Sequence, residues 1–191
     1  DDVPGYTWAL PELLSDAGLP RASFRANSIR RQFLWQRPGA VPRPCYWQSP
    51  DGSRVFMWYT DSYREGNFFR SPGLHEREFL RIIQQNEQAG AWVDDLQLRM
   101  GGDNLPPDLN TSSNARAWNV KYLWPRVTVA TNREFLETLE RTYGSRCQTV
   151  CGDIPSWWAE GPASTAAETG MNRLTHDRLV AAEALWTRLW L

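Results

Sequence analysis

Strand-like and helix-like stretches alternate along these 191 residues, and this alternation constrains the fold more than any other feature. The run "SRVFMWYT" reads as a strand, and with "YWQ" before it and Asp51-Gly52 between, the pair reads as a β-hairpin. "WVDDLQLRM" and "RVTVAT" read as two further strands. Between them come helix-like patterns. Pro11 to Ala17 forms a short one closed by Gly18 and Pro20. A second carries apolar residues at Phe79, Leu80, Ile82 and Ile83 and stops at Gly90. "NREFLETLERTYG" is a third, with Asn132 as N-cap and Gly144 beyond its end. A long helix is expected from about Ala166 to the end, with Thr165 and Glu168 as its capping box. The expected loops are the proline-rich stretch from Arg25 to Gly52, broken only by the first hairpin strand, then Leu105 to Tyr122 and Cys147 to Thr165. Such alternation is the signature of an α/β fold with parallel strands.

Composition narrows the functional classes. A formal net charge of −1 gives no general affinity for nucleic acid or anionic membrane. No apolar run approaches the roughly 18 residues of a membrane span, and no signal peptide is visible, so a cytoplasmic location is expected. Cys45, Cys147 and Cys151 match neither a disulfide framework nor a zinc ribbon and read as reduced structural thiols. The chain starts without Met and stops inside a helical pattern, so it is read as an internal fragment of a longer protein. There is no G-x-S-x-G, P-loop or G-x-G-x-x-G, which leaves serine nucleophiles and nucleotide binding without support. No clustered His/Cys pattern marks a metal site either.

Carboxylates at strand ends remain as candidates. "LQLRMGGDN" ends an alternating run at Gly101-Gly102 and then presents Asp103. Active sites of α/β folds lie at strand C-termini, so Asp103 is either catalytic or a turn-forming residue. Asp2, before the turn Val3-Pro4-Gly5, is a second candidate with the same ambiguity. "CGDIPSWWAEG" joins two Trp to Asp153 and Glu160 in a loop, a combination suited to sugar rings, whose C–H faces pack on indoles while hydroxyls bond carboxylates. "FMWYTDSY" offers Trp58, Tyr59, Asp61 and Tyr63 in similar company.

In order, "D-x-P-G-Y-T", "W-x-S-P-D-G-S-R-V-x-x-W", "GGDN", "WN-x-x-x-x-P" and "GD-x-x-x-WWAEG-x-x-ST … NR … AAEAL" resemble the catalytic domain of glycoside hydrolase family 38 α-mannosidases, in a divergent bacterial branch. The resemblance runs along nearly the whole chain. It implies part of a seven-stranded (β/α) barrel over residues 1–164, with 165–191 starting a following helical bundle. It also implies a retaining glycosidase with Asp2 as nucleophile and zinc ligand, Asp103 as general acid/base, and Trp158 and Glu160 at the sugar; Trp58, Asp61 and Tyr63, read from their own company, are expected to join them around a carbohydrate substrate. The remaining zinc ligands are expected beyond this chain, and the stretch by itself, a partial barrel with two unpaired strand edges, is expected to be inactive and poorly soluble. Two carboxylates about 5–5.5 Å apart suit a covalent intermediate, with burial and the neighbouring charge raising the pKa of Asp103. The alternative is a carbohydrate-binding protein that keeps the barrel without the catalysis.

Overall fold

A computed structural model describes residues 3, 5–25, 41–60, 62–73, 75–155 and 164–190. The hairpin forms as the Asp51-Gly52 turn requires. Strands β3 (Cys45–Gln48) and β4 (Arg54–Tyr59) pair antiparallel, with Tyr46 opposite Phe56 and Gln48 opposite Arg54. Asp51 holds the turn by accepting from the Ser53 amide at 2.9 Å and from the hydroxyls of Ser49 and Ser53. Before it in the chain come β1 (Gly5–Tyr6), helix α1 (Leu10–Asp16) and β2 (Arg21–Phe24). β2 joins β4 in parallel, and β5 (Thr149–Cys151) joins β3 in parallel. The sheet order is β2-β4-β3-β5. It is therefore a mixed sheet, because the tight hairpin forces one antiparallel pair into its centre. β2 and β5 are its ends, and the described residues do not close it into a barrel.

β4 is buried from Val55 through Tyr59, as expected of a strand covered on both faces. Its alternate side chains enter different clusters. Val55, Met57 and Tyr59 pack with Trp47, Cys45 and Ile154, under Leu10 and Leu14 of α1. Phe56 and Trp58 pack with Leu136, Leu139 and Tyr143 of α4 (Asn132–Tyr143) on the other side. Thr131, rather than the expected Asn132, caps α4. Its hydroxyl accepts from the Glu134 amide, while the Glu134 carboxylate accepts from the Thr131 amide. A third cluster joins Phe69 of a single 3-10 turn (Asn67–Arg70), Phe79 of α2 (Glu76–Gln88), and Ala115 and Trp118 of α3 (Thr111–Lys121).

Four sequence expectations change. Trp92 to Met100 is irregular rather than a strand. Its alternation is real, since Leu96 and Leu98 turn into the second and third clusters. No described strand lies beside it to form a ladder, however, and side chains hold it instead. Gln97 donates to Asn132 at 2.8 Å and accepts from Ser23 at 2.9 Å, and Tyr143 donates to Asp95 at 3.1 Å. Arg126 to Thr131 is likewise irregular. Its Val127 exchanges two hydrogen bonds with the Asn119 side chain, at 2.7 and 2.9 Å. In the expected loop 105–122 stands α3, whose sparse apolar positions Ala115 and Trp118 gave no periodic pattern. Asp108 supplies its start, accepting from the amides of Asn110 and Thr111 and from the Thr111 hydroxyl.

The expected loop 147–165 also contains β5 and a two-residue strand β6 (Ile154–Pro155), which pairs antiparallel with β1. The long terminal helix α5 (Ala166–Trp190) forms as expected and buries none of its residues. No helix of the described residues is long and apolar enough to cross a membrane.

Candidate functional site

β2 and β4 run in the same direction, and the chain leaves both at one end of the sheet. There the Thr60 amide donates to the Phe24 carbonyl at 2.9 Å, and the next described residues form the turn from Ser62 to Gly66. Against this turn lies the segment that carries Asp103. Gly66 donates to the Arg99 carbonyl at 2.8 Å. The Asn67 side chain clasps Gly101, donating to its carbonyl at 2.8 Å and accepting from its amide at 3.1 Å.

The two glycines make this approach possible. A Cβ on Gly101 would stand 3.3 Å from the Tyr63 carbonyl oxygen. Gly102 has φ +156°, and a Cβ there would meet Leu105 at 2.8 Å. Asp103 thus emerges beside Tyr63 and Arg64, with its carboxylate 3.9 Å from the Arg64 guanidinium. Its side chain is 73% exposed, so the described residues do not supply the burial expected for it. An ion pair this exposed contributes little to stability.

β1 arrives at the same end. The Tyr6 hydroxyl donates to the Arg25 carbonyl at 3.2 Å, and its ring lies 4.8 Å from Phe24. Burial raises the Tyr6 pKa above the usual phenol range, the Arg25 hydrogen bond opposes it, and the charges of Tyr59 and Arg99 also reach it. Arg99 is itself half-buried. Desolvation lowers its pKa, while the nearby Glu65 and Tyr6 favour its charged form. Glu65 accepts from the Ser62 amide at 3.0 Å, and the Arg25 guanidinium lies 5.8 Å from the Tyr63 ring centre. Tyr6, Arg25 and Tyr63 are thus joined by contacts, and Tyr59, Glu65 and Arg99 lie within electrostatic reach of them, a group of hydroxyls, cations and a carboxylate.

The pairing of β1 with β6 adds to this convergence. Gly5 lies opposite Pro155 and Tyr6 opposite Ile154. The chain leading back to Asp2 and the chain leading on to Trp157, Trp158 and Glu160 leave this pair at the same end. Asp153 holds the arrangement from outside the pair, accepting from the Trp8 amide at 2.7 Å. Asp2, Asp61, Trp158 and Glu160 lie outside the described residues.

Of the expected site residues, Tyr63 and Asp103 lie on segments that pack together, through the Tyr63 carbonyl against Gly101 and Arg64 beside Asp103. Trp58 faces the opposite side of the sheet, is 2% exposed, and has its ring against Phe135 at 5.4 Å. Its faces are not open to a sugar. Sequence reasoning missed Tyr6, Arg25, Glu65 and Arg99. Two signals were available: Tyr6 follows the Asp2 turn by four residues, and Arg99 precedes Asp103 by four.

No group of three or more His, Cys, Asp or Glu comes together among the described residues. They offer no zinc site of their own. The cysteines are free, as expected.

Comparison with known proteins gives two findings. The sequence profile of the glycosyl hydrolases family 38 N-terminal domain matches residues 1–160. The fold is similar to the crystal structure of an alpha-mannosidase from Enterococcus faecalis V583, with TM-score 0.64 and 15% identity over 80% of this chain. The chain spans 17% of that protein's length. No curated protein matches it significantly.

Proposed function

This chain belongs to glycosyl hydrolase family 38 through its N-terminal domain, and from that premise we propose that its full-length parent is a retaining glycoside hydrolase of α-mannosidase type. The observation that carries the reading is a run of contacts: the Tyr6 hydroxyl donates to the Arg25 carbonyl at 3.2 Å, the Arg25 guanidinium lies 5.8 Å from the Tyr63 ring centre, and the Tyr63 carbonyl lies against Gly101. Tyr6 stands four residues after Asp2, and Gly101 two residues before Asp103, so the segments of the two candidate carboxylates are linked through Arg25 and Tyr63.

In this reading Asp103 protonates the leaving glycosidic oxygen as the bond to the anomeric carbon breaks. Asp2 forms the new ester bond to that carbon, and a water deprotonated by Asp103 then releases the sugar. Asp61, Tyr63, Trp158 and Glu160 contact the sugar. The cluster around Tyr6 and Arg99 provides a partly desolvated, donor-rich wall beside it. Residues 1–164 form part of a (β/α) barrel and 165–191 open a helical domain. Zinc enters only through Asp2, with its other ligands outside this chain, and no step is assigned to it.

Asp2→Asn and Asp103→Asn in the full-length parent test the reading with an aryl α-mannoside. Each should lower turnover at least 10²-fold while calorimetry still detects mannoside binding. A parent turning over normally with either substitution removes that residue from its role. The 73% exposure of Asp103 favours one other reading, a carbohydrate-binding protein without catalysis. A wild-type parent that binds mannoside and never cleaves it would establish that one.

A further inference from the structure

Successive residues of a strand point to opposite faces, so Tyr59 enters the cluster just described while Trp58 turns toward α4. On that second face lies a cavity of about 340 Å³, bordered by Trp58, Trp92, Arg43, Asn86, Gln148 and Ala91 at the end of α2. Its size falls at the lower end of the range for small-molecule pockets, roughly 300–1,000 Å³.

The lining is chemically specific. Trp58 is 2% exposed and forms part of the cavity wall, where no hydrogen bond among the described residues engages its indole N–H. That N–H is therefore available to donate to a ligand oxygen in the cavity. Asn86 commits its Nδ2 to the Ile82 carbonyl at 2.9 Å, which leaves its Oδ1 to accept from a ligand. Gln148 is exposed at the rim and offers both a donor and an acceptor. Trp92 presents a second indole, 38% exposed, braced by the Arg146 guanidinium 5.2 Å away and the Tyr143 ring at 5.8 Å. Arg43 is turned to the Tyr59 carbonyl at 3.5 Å and to the Trp58 ring at 5.8 Å, and among the described residues no carboxylate borders the cavity. Indole surface, amide groups and an N–H donor suit a neutral ring that is apolar on its faces and hydroxylated at its edge.

We propose that this cavity is a second saccharide site, on the face of the sheet opposite the candidate catalytic cluster, that takes one neutral hexopyranose unit. The choice of a hexose, and of a mannoside as probe, rests on the glycosidase reading; the site itself rests on the Trp58 cavity. Two indoles and two side-chain amides lining one cavity hold a sugar without reacting with it.

Indole N–H resonances of the ¹⁵N-labelled full chain test this, with Trp92 assigned through Trp92→Phe and Trp58 through Trp58→Phe. Methyl α-mannoside should shift both signals saturably, with a Kd on the order of 1 mM. Ala91→Phe, which fills the cavity from an exposed position, should abolish the shifts, and Gln148→Ala should weaken them several-fold. A flat Trp58 signal overturns the proposal, as does an unchanged titration in Ala91→Phe. A response to inorganic phosphate in place of the mannoside also overturns it. The two readings fail separately: a parent without turnover but with an intact Trp58 titration supports the second site, whereas turnover with a flat Trp58 signal removes it.

Discussion

Replacing Asn67 by Ala isolates the clasp that holds the Asp103 segment. The side chain makes two hydrogen bonds to Gly101, at 2.8 Å to its carbonyl and 3.1 Å from its amide. Each such bond contributes about 0.5–1.5 kcal/mol net. Gly101 is half-buried, so water replaces part of what is lost. The expected loss of stability is therefore about 1–2 kcal/mol, near the lower end of the two-bond sum. The neighbouring bond from Gly66 to Arg99, at 2.8 Å, does not involve this side chain and persists. The loosening is thus local. Urea unfolding gives the global change as a lower midpoint at constant slope. Amide exchange gives the local one: the Gly101 amide should exchange about tenfold faster, as expected for about 1.4 kcal/mol, with the Gly66 amide little changed. In the full-length parent, kcat should fall while KM changes little, because the displaced group is the proposed acid and not a sugar contact. An unchanged Gly101 exchange rate would refute the clasp. Equal acceleration of Gly66 and Gly101 would refute its local character.

Three further outcomes follow from the same geometry. Gly66→Ala should destabilise the fold by about 1–3 kcal/mol, because the added Cβ would stand 2.7 Å from Met100 and 3.0 Å from the Leu98 carbonyl; a melting temperature equal to wild type would contradict this. Asp51, Glu76, Asp108 and Glu134 are all held below the ordinary carboxylate range, chiefly by the hydroxyls of Ser49, Tyr122 and Thr111 and by the Thr131 amide respectively. A depressed carboxylate stabilises the fold above its unfolded pKa and loses that contribution as pH falls through its folded value, so Tm should hold near neutrality and decline below about pH 4. Glu134→Gln should make that decline shallower, and an identical acid limb would refute the assignment. Toward a thiol reagent the exposed Cys151 should react first. Cys147, pushed to about 11 by burial, should follow slowly, and the buried Cys45 should react only on unfolding; early loss of Cys45 would show that the sheet opens readily.

The sequence by itself determined the elements whose stabilising groups are close together along the chain. Asp51-Gly52 sets the hairpin turn with its own serines, and the apolar spacing of Phe79 and Ile82 marks α2. Thr131 and Glu134 cap α4 within three residues of each other. Order and spacing of the short motifs were likewise sufficient for the family, since they survive without knowledge of any contact. Where a segment takes its partners from afar, the local pattern misled. Leu96 and Leu98 alternate as a strand would, yet only tertiary structure decides whether another strand lies alongside, and here side chains of Asn132, Ser23 and Tyr143 hold the segment instead. α3 was hidden for the converse reason: it is held by Asp108 and by two buried residues packed on Phe69 and Phe79, not by a periodic face. Site membership divides in the same way. "GGDN" announced Asp103 because glycine is needed wherever a backbone must approach another closely. Tyr6, Arg99 and Glu65 come from three separate segments and come within electrostatic reach of one another only after the sheet has formed. One residue of register in β4 separates Tyr59, facing the candidate catalytic cluster, from Trp58, facing the second cavity, because a strand sends neighbouring side chains to opposite faces and the packing of α1 and α4 decides which face is which.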